Sequence, residues 1–527
     1  MRRRVAAVTA VLLGSVAAGV GAAALPARAN AASVPSVTVR AIDREGKAVA
    51  VSVSLTSADT GDVHDTVSSA RAGSVAVGVY NAAAWVWEPN KTAATLIDRE
   101  VTITASQTLT FDARPGKLLR MTVNDSSVAP NDVLVEPFSP TAGAAWWNNS
   151  YGPPIDAAVY LVPGALPAGW DLLLQTNLVR HESNYAASPV EYELVKLLSG
   201  SIPSSLTFAS TRAGLAQEHL TIRSLGPGGD GVSFGPAQFD SGSLGRLPYI
   251  SLGQSNVVTP ANVDLFFSPG YTWESVDYAA NDDLYGSGPL LAGHTYAQTF
   301  NAAVFSPSPL LGPVVYQNSI SLSEVFGNCL LVDAAGQGGQ TESVGLYPTA
   351  PQGWLYEGSK LIAHASGYNA NFRATIPATT QPYTLTMQTT RLTGGNTPLN
   401  GIAQSLTATY KFKAAAGDTS INADNFWPRM VPQGVTESNA AAGGSATTVP
   451  ITFDTTAGAI VAHDVHVWAS ANGGKTWSPL PLTHNGNTWT VIVHNPKAAG
   501  YVSLRVLGED PLGFTSAVTA INAYAVS

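Results

Sequence analysis

A chain of 527 residues that is 45% hydrophobic and only 12% charged, with 49 Gly and 34 Pro, is long enough for several cores and too apolar to be a disordered polymer. Its net charge of −9 repels phosphate backbones and anionic bilayers, so nucleic acid is excluded as an expected partner. The one cysteine, Cys329, cannot form an internal disulfide, and the apolar stretch 325–332 around it predicts a buried thiol.

Arg2 to Arg4, the apolar run 5–25 and the small-residue site Ala27-Arg28-Ala29 read as a secretory signal peptide over 1–29. No later stretch is apolar enough to span a bilayer, so the expectation is a secreted, extracellular chain without membrane insertion.

Period-two alternation then recurs to the C-terminus and predicts an all-β protein of tandem antiparallel β-sandwiches. Four are expected. The first, 30–116, has strands at 37–42, 49–55, 75–79, 84–87, 101–104 and 109–111 and resembles a transthyretin-like or carboxypeptidase-regulatory-like sandwich. The second, 117–311, is a larger sandwich with long loops; 172–181 and 263–278 are its clearest strands, and 190–198 is assigned as strand over helix. The third, 312–416, alternates at 314–322, 360–365, 372–376, 383–390 and 405–412. The fourth, 417–527, opens with an Ala/Gly stretch at 440–446 that reads as flexible and ends in an immunoglobulin- or fibronectin-like sandwich. Its strands are separated by turns such as Asn472-Gly473-Gly474 and Asn485-Gly486-Asn487. No period of 20 to 50 residues repeats, which disfavours a solenoid or propeller.

Along this last segment, the "NGGKTW" turn, the "W-x-V" strand, "HNP-x-x-AGYVSLRV" and the closing "INAY" resemble the end of the accessory extension of large secreted actinobacterial subtilisin-like serine proteases. "VTVRAIDREGKAV", "AGHTYAQTFNAAVFSP", "YTLTMQTTRL" and "TATYKF" follow the same extension in order. The resemblance implies a non-catalytic, accessory protein, because the protease domain that the extension normally follows has no counterpart here, and it leaves open whether a separate protease is the partner.

The residues agree on chemistry. A subtilisin triad needs His-Gly-Thr and Gly-Thr-Ser-Met-Ala contexts, and neither occurs. Asp59-Thr60-Gly61 and Asp240-Ser241-Gly242 mimic an aspartic protease pair, but their flanks lack the apolar strand that precedes each catalytic aspartate. His463 and His466, three apart on a strand, are expected on opposite faces, and His181-Glu182 has no third ligand at a usable spacing. No metal, cofactor or catalytic residue is therefore assigned. Ser470 to Trp477 nearly matches the Asp-box of sialidases, with Asn472 in the Asp position, and reads as a tight turn pinned by Trp477.

The remaining candidates are aromatic. Trp146, Trp147 and Tyr151 sit in turn-rich sequence, and Trp170 is a weaker member of the set, with Tyr271 and Trp273 beside it. The expected function is an extracellular binding or scaffolding protein for protein or polysaccharide, oligomeric state unassigned. The alternative is a secreted, peptidase-related hydrolase whose active site the motifs do not reveal.

Overall fold

The computed structural model describes residues 34–527 except 59–62, 139–156, 181–188, 225–230, 241–249, 252–254, 259, 278–281, 285–289, 301–303, 305, 308–313, 317–318, 323–327, 332–341, 346–351, 367–371, 392–400, 419–425 and 456–457. Among the described residues there is no α-helix, only a 3-10 turn at Arg212–Gly214, and the chain is a series of β-sandwiches. No helix among them is long and apolar enough to cross a membrane.

In Ser36–Ile42, Val37, Val39 and Ala41 are buried while the residues between them are exposed. That stripe packs on Val53, Leu55, Ile97 and Phe111 to form the first core. Ser36–Ile42 pairs with Ala48–Val49, Gly73–Ser74 and, in parallel, Gln107–Asp112. The facing sheet runs Val63–Ser68, Ser52–Ser57, Gly78–Trp87, Ala93–Ile103, Ala158–Leu161 and Lys117–Leu118, so it draws two strands from beyond residue 116. Of the strand expected at 75–79, residues 75–77 are instead the crossover between the two sheets, while Gly78 and Val79 open Gly78–Trp87.

The middle of the chain is built on a six-stranded sheet in the order Val128–Phe138, Asp171–Arg180, Val190–Ser199, Ala261–Phe267, Ala216–Ile222, Thr295–Phe300. Residues 190–198 are indeed extended. The stretch 263–278 is broken by a turn at Gly270, φ +84°, and Ala261–Phe267 and Thr272–Asp277 lie in different sheets. Most strand pairs are antiparallel, as expected, while Val190–Ser199 with Ala261–Phe267 and Ala216–Ile222 with Thr295–Phe300 are parallel. These join strands from distant parts of the chain, which no tight hairpin can link.

Two sheets close the C-terminal sandwich. The larger runs Lys360–Ser366, Gln352–Glu357, Gln381–Thr390, Ser405–Ala414, Thr515–Val526, Gly500–Glu509, His463–Ser470, Ser478–Pro479, with Ala440–Ala441 pairing onto Thr515–Val526 as the ninth strand. The smaller has Ala446–Thr455 and Thr488–His494 at its centre. The boundary expected at 416 therefore falls inside one sheet: Ser405–Ala414 pairs with Thr515–Val526 over seven registers, Ser405↔Ile521 to Lys411↔Thr515. Leu406, Ala408, Tyr410 and Phe412 share a core with Val506, Val518, Ala520, Phe426 and Trp427, so neither half covers its apolar face without the other. The 440–446 stretch is ordered. Ala440 and Ala441 are buried, and a Cβ on Gly443 would meet the Lys497 carbonyl at 2.8 Å, so small residues there serve close packing. Tyr524 of the closing "INAY" is fully buried and donates from its hydroxyl to Asn495 Oδ1 at 2.9 Å.

Candidate functional site

Alternation gives the nine-stranded sheet two unlike faces. Leu385, Met387, Ala408, Tyr410, Val506 and Val518 point into the core; their sequence neighbours point out and are only partly covered. Register aligns the outward residues into rows across the strands. One row reads His364, Trp354, Thr386, Thr409, Ala517, Leu507, His466. The next reads Gln352, Gln388, Thr407, Thr519, Arg505, Trp468. The middle of the face is mainly hydroxyl and amide, with Ala517, Leu507 and Arg505 toward the His466 side, and its two margins are aromatic.

At one margin the Trp354 and His364 rings stack with centroids 5.3 Å apart. At the other, His466 and Trp468 stack at 5.7 Å. Five interstrand steps separate the strands of Trp354 and His466, roughly 24 Å at the usual spacing. Between them Thr386 and Thr409 hold their hydroxyls 3.5 Å apart, and Arg505 Nε donates to Thr519 Oγ1 at 3.1 Å. The Arg505 guanidinium lies 4.4 Å from the Trp477 ring centre, a stacked cation–π contact.

Trp477 reaches this face through the turn before it. Ser470 Oγ donates to Asn472 Oδ1 at 2.8 Å and accepts from the Gly474 amide at 3.0 Å; Asn472 Oδ1 also accepts from the Thr476 amide at 3.0 Å. Gly473 and Gly474 have φ of +67° and +79°. This is the tight turn that the Asp-box likeness predicts, with Trp477 half-buried at its end.

His463 and His466 are a correction. A bulge at Asp464, φ +43°, inserts an extra residue, so His463↔Glu509 and His466↔Leu507 put both histidines on one face. Both are exposed, and His466 Nε2 lies 3.0 Å from Asp464 Oδ1. No group of three or more His, Cys, Asp or Glu residues among the described ones is placed to hold a metal ion.

Of the sequence candidates, Trp146, Trp147 and Tyr151 lie outside the described residues, as do the leader, Asp59-Thr60-Gly61 and His181-Glu182. Trp170 is 4% exposed, so it offers no ring face to a ligand; its amide closes a turn on the Pro167 carbonyl. Tyr271 is half-buried. Cys329 pairs through its backbone with Val344 and Pro307, and its side chain is outside the described set. The sequence reading missed Trp354, Trp468 and the threonine rows. The signal was present in "TLTMQTT" and "SLTATYKF", where threonine recurs every second position; the strand order that lines these rows up was not.

A second concentration of chemistry lies on the six-stranded sheet. Glu136, Gln175, Asn177, Glu191, Glu193 and Glu218 all occupy one face of it and are buried. Burial pushes the Glu136 and Glu218 carboxyls up to about 7. Burial and then the neighbouring Glu191 push Glu193 well above the usual carboxylate range. Asn131 Nδ2 donates to Asn177 Oδ1 at 3.0 Å, and Asn177 Nδ2 donates to Glu193 Oε1. Glu136 and Glu218 are four strands apart, roughly 19 Å, too far for the paired-carboxylate chemistry of glycoside hydrolysis. Glu191 and Glu193, at 1% and 0% exposure, are closed to a substrate.

No protein family profile matches the chain, and no curated protein does. Solved structures with partial likeness include the Escherichia coli alpha-2-macroglobulin activated by porcine elastase, 10% identical over 93% of this chain and 52% of that one, TM-score 0.14. Salmonella alpha-2-macroglobulin reacted with methylamine is 11% identical over 90% of this chain and 37% of that one, TM-score 0.18. The chain spans about half or less of the length of these proteins. At such scores the likeness is one of β-rich composition and carries no argument about function.

Proposed function

We propose that this chain is a secreted, non-catalytic binding protein whose outward sheet face holds an extended, uncharged polysaccharide. The observation that carries the reading is the pairing of aromatic margins with a hydroxyl and amide centre on one face. A pyranose ring presents apolar C–H faces that stack on Trp354 and Trp468, and hydroxyl edges that exchange hydrogen bonds with Thr386, Thr407, Thr409 and Gln388. Fixed charges on the face are few beside its hydroxyls and amides, chiefly Lys411, Lys413, Arg505 and Glu509, which favours a neutral polymer over an ionic one. Strands presenting these groups are already ordered, so binding pays little conformational entropy. The leader-like residues 1–29 support export, and the likeness to subtilase extensions supports a role beside an enzyme.

The test is retention on insoluble polysaccharides. The double variant Trp354→Ala, Trp468→Ala should lose about tenfold or more in affinity, since a sugar ring stacked on an aromatic is worth on the order of 1 kcal/mol per contact. Retention should survive about 0.5 M salt, where exposed ion pairs are screened. A Trp146→Ala, Trp147→Ala variant tests the other aromatic stretch. Binding that vanishes with salt and ignores Trp354 and Trp468 would show the reading to be wrong.

A further inference from the structure

The long strand Thr515–Val526 changes neighbours part-way along. As far as Ile521 it pairs with Ser405–Ala414; from Ala525 it pairs in parallel with Ala440–Ala441. At the break the chain bends through three non-glycine residues of positive φ, Ala403 at 53°, Asn439 at 50° and Asn522 at 59°, all of them buried. Such conformations persist only where surrounding bonds fix them, and they gather at functional sites. Here the Ala403 amide donates to the Asn522 carbonyl at 2.8 Å, the Ala525 amide to the Asn439 carbonyl at 2.9 Å, and Asn522 Nδ2 to the Gly401 carbonyl at 3.2 Å.

Together these bends leave a cleft of about 520 Å³, lined by Ile402, Thr436, Ser438, Gly500, Tyr501 and Ala525 among others. That volume is in the range of small-ligand sites. No Asp, Glu, Lys, Arg or His side chain lines it. Its wall is mostly apolar, with hydroxyl-bearing residues Thr436, Ser438, Tyr501 and Ser527. Tyr501 and Ala525 project opposite to the buried Val502 and Tyr524, on the side of the sheet that carries Arg505 and Thr519. The turn that supplies Thr436 and Ser438 is anchored from behind on the middle of the chain: Ser224 N–H donates to the Glu437 carbonyl at 3.0 Å, Asn262 Nδ2 to Glu437 Oε1 at 3.0 Å, and Asn439 Nδ2 to the Ser224 carbonyl at 3.1 Å.

We propose that this cleft binds one N-acetylated sugar unit of the polysaccharide that lies on the face, an inference that rests on the polysaccharide reading above. The absence of charged side chains from the lining favours a neutral ligand. Apolar walls of Ile402 and Ala525 suit an acetamido methyl and the C–H face of the ring, and the four hydroxyls suit its amide and ring oxygens.

Calorimetric titration with tri-N-acetylchitotriose and with cellotriose tests this. Gly500→Leu is the variant of choice, because Gly500 lines the cleft and a Cβ there meets nothing within 4 Å. The side chain then fills ligand space without displacing protein. The expected result is binding of the acetylated trisaccharide but not of cellotriose. Gly500→Leu should weaken it at least tenfold with an unchanged melting temperature. Tyr501→Ala is the second variant, with the same expected loss. No binding of the acetylated trisaccharide, equal binding of cellotriose, or indifference to both cleft variants would overturn the proposal. If wild-type protein binds the trisaccharide in the cleft yet is not retained on any polymer, the face reading fails and the cleft stands.

Discussion

Gly474 shows how much a single position can carry. Its φ of +79° is costly for any side chain, and a Cβ there would come within 2.6 Å of Ile521 Cδ1 and 3.3 Å of the Trp477 ring. Gly473, one residue earlier at φ +67°, has open space around it. Gly474→Val should therefore cost on the order of 1 to 3 kcal/mol, and Gly473→Ala only the smaller backbone cost. Urea denaturation of both variants checks this. Equal losses would mean that the contact with Ile521 and Trp477 contributes nothing. The turn was legible in the sequence from Asn-Gly-Gly and the closing tryptophan. That Trp477 ends over Arg505 was not, because it depends on which strand lies next to His463–Ser470.

The strands themselves were the most readable elements, since Val37, Val39 and Ala41, or Leu406, Ala408 and Tyr410, declare an inward face by period alone. Bulges and breaks were not readable. Nothing in "AHDVH" signals the positive φ of Asp464 that turns His463 and His466 to one side, and 263–278 alternates straight through a turn. Buried acids were equally hidden, because Glu191 and Glu193 alternate with apolar residues as exposed charges would. Their sheet makes a pH prediction. Glu136 and Glu218 titrate near 7 in the fold against an ordinary 4.5, so the folded state holds protons that the unfolded chain releases. The stability they allow is complete below about pH 4.5, falls as pH rises to about 7, and is level above; each group accounts for about 3 kcal/mol of that fall. Asp125 works in the opposite sense. The Ser127 hydroxyl and amide and the Tyr192 hydroxyl hold it at about 2, so its contribution is lost as pH drops from about 4 toward 2. Amide exchange in Ala216–Ile222 should be slower at pH 5 than at pH 8 after correction for intrinsic rates. Glu218→Gln should slow it at pH 8 and leave it nearly unchanged at pH 5. A variant that shifts exchange equally at both values would mean that Glu218 is not the titrating group.

At the scale of the whole molecule, the all-β class followed from composition and alternation, but the partition into units did not. The expected boundary at 416 is crossed by the pairing of Leu406 with Ala520 and of Ala408 with Val518. Sequence separation hides such contacts, and the candidate face was hidden with them: its rows exist only when strands from 352–414 and 463–526 lie side by side. That arrangement also governs the order of folding. Thr515–Val526 is flanked on one side by Gly500–Glu509, reached through a short connection, and on the other by Ser405–Ala414, about a hundred residues away in sequence. The near pairing closes a small loop and the far one a large loop, so the hairpin 500–526 should form early and wait for Ser405–Ala414. Ala520→Gly, which weakens the common strand, should slow refolding more than Ala408→Gly at matched loss of stability, while Ala408→Gly should chiefly speed unfolding. Until the far strand arrives, the edge of Thr515–Val526 is unpaired and its apolar residues are uncovered, and in that interval the same row of backbone groups that later joins the two halves would accept a strand from another chain.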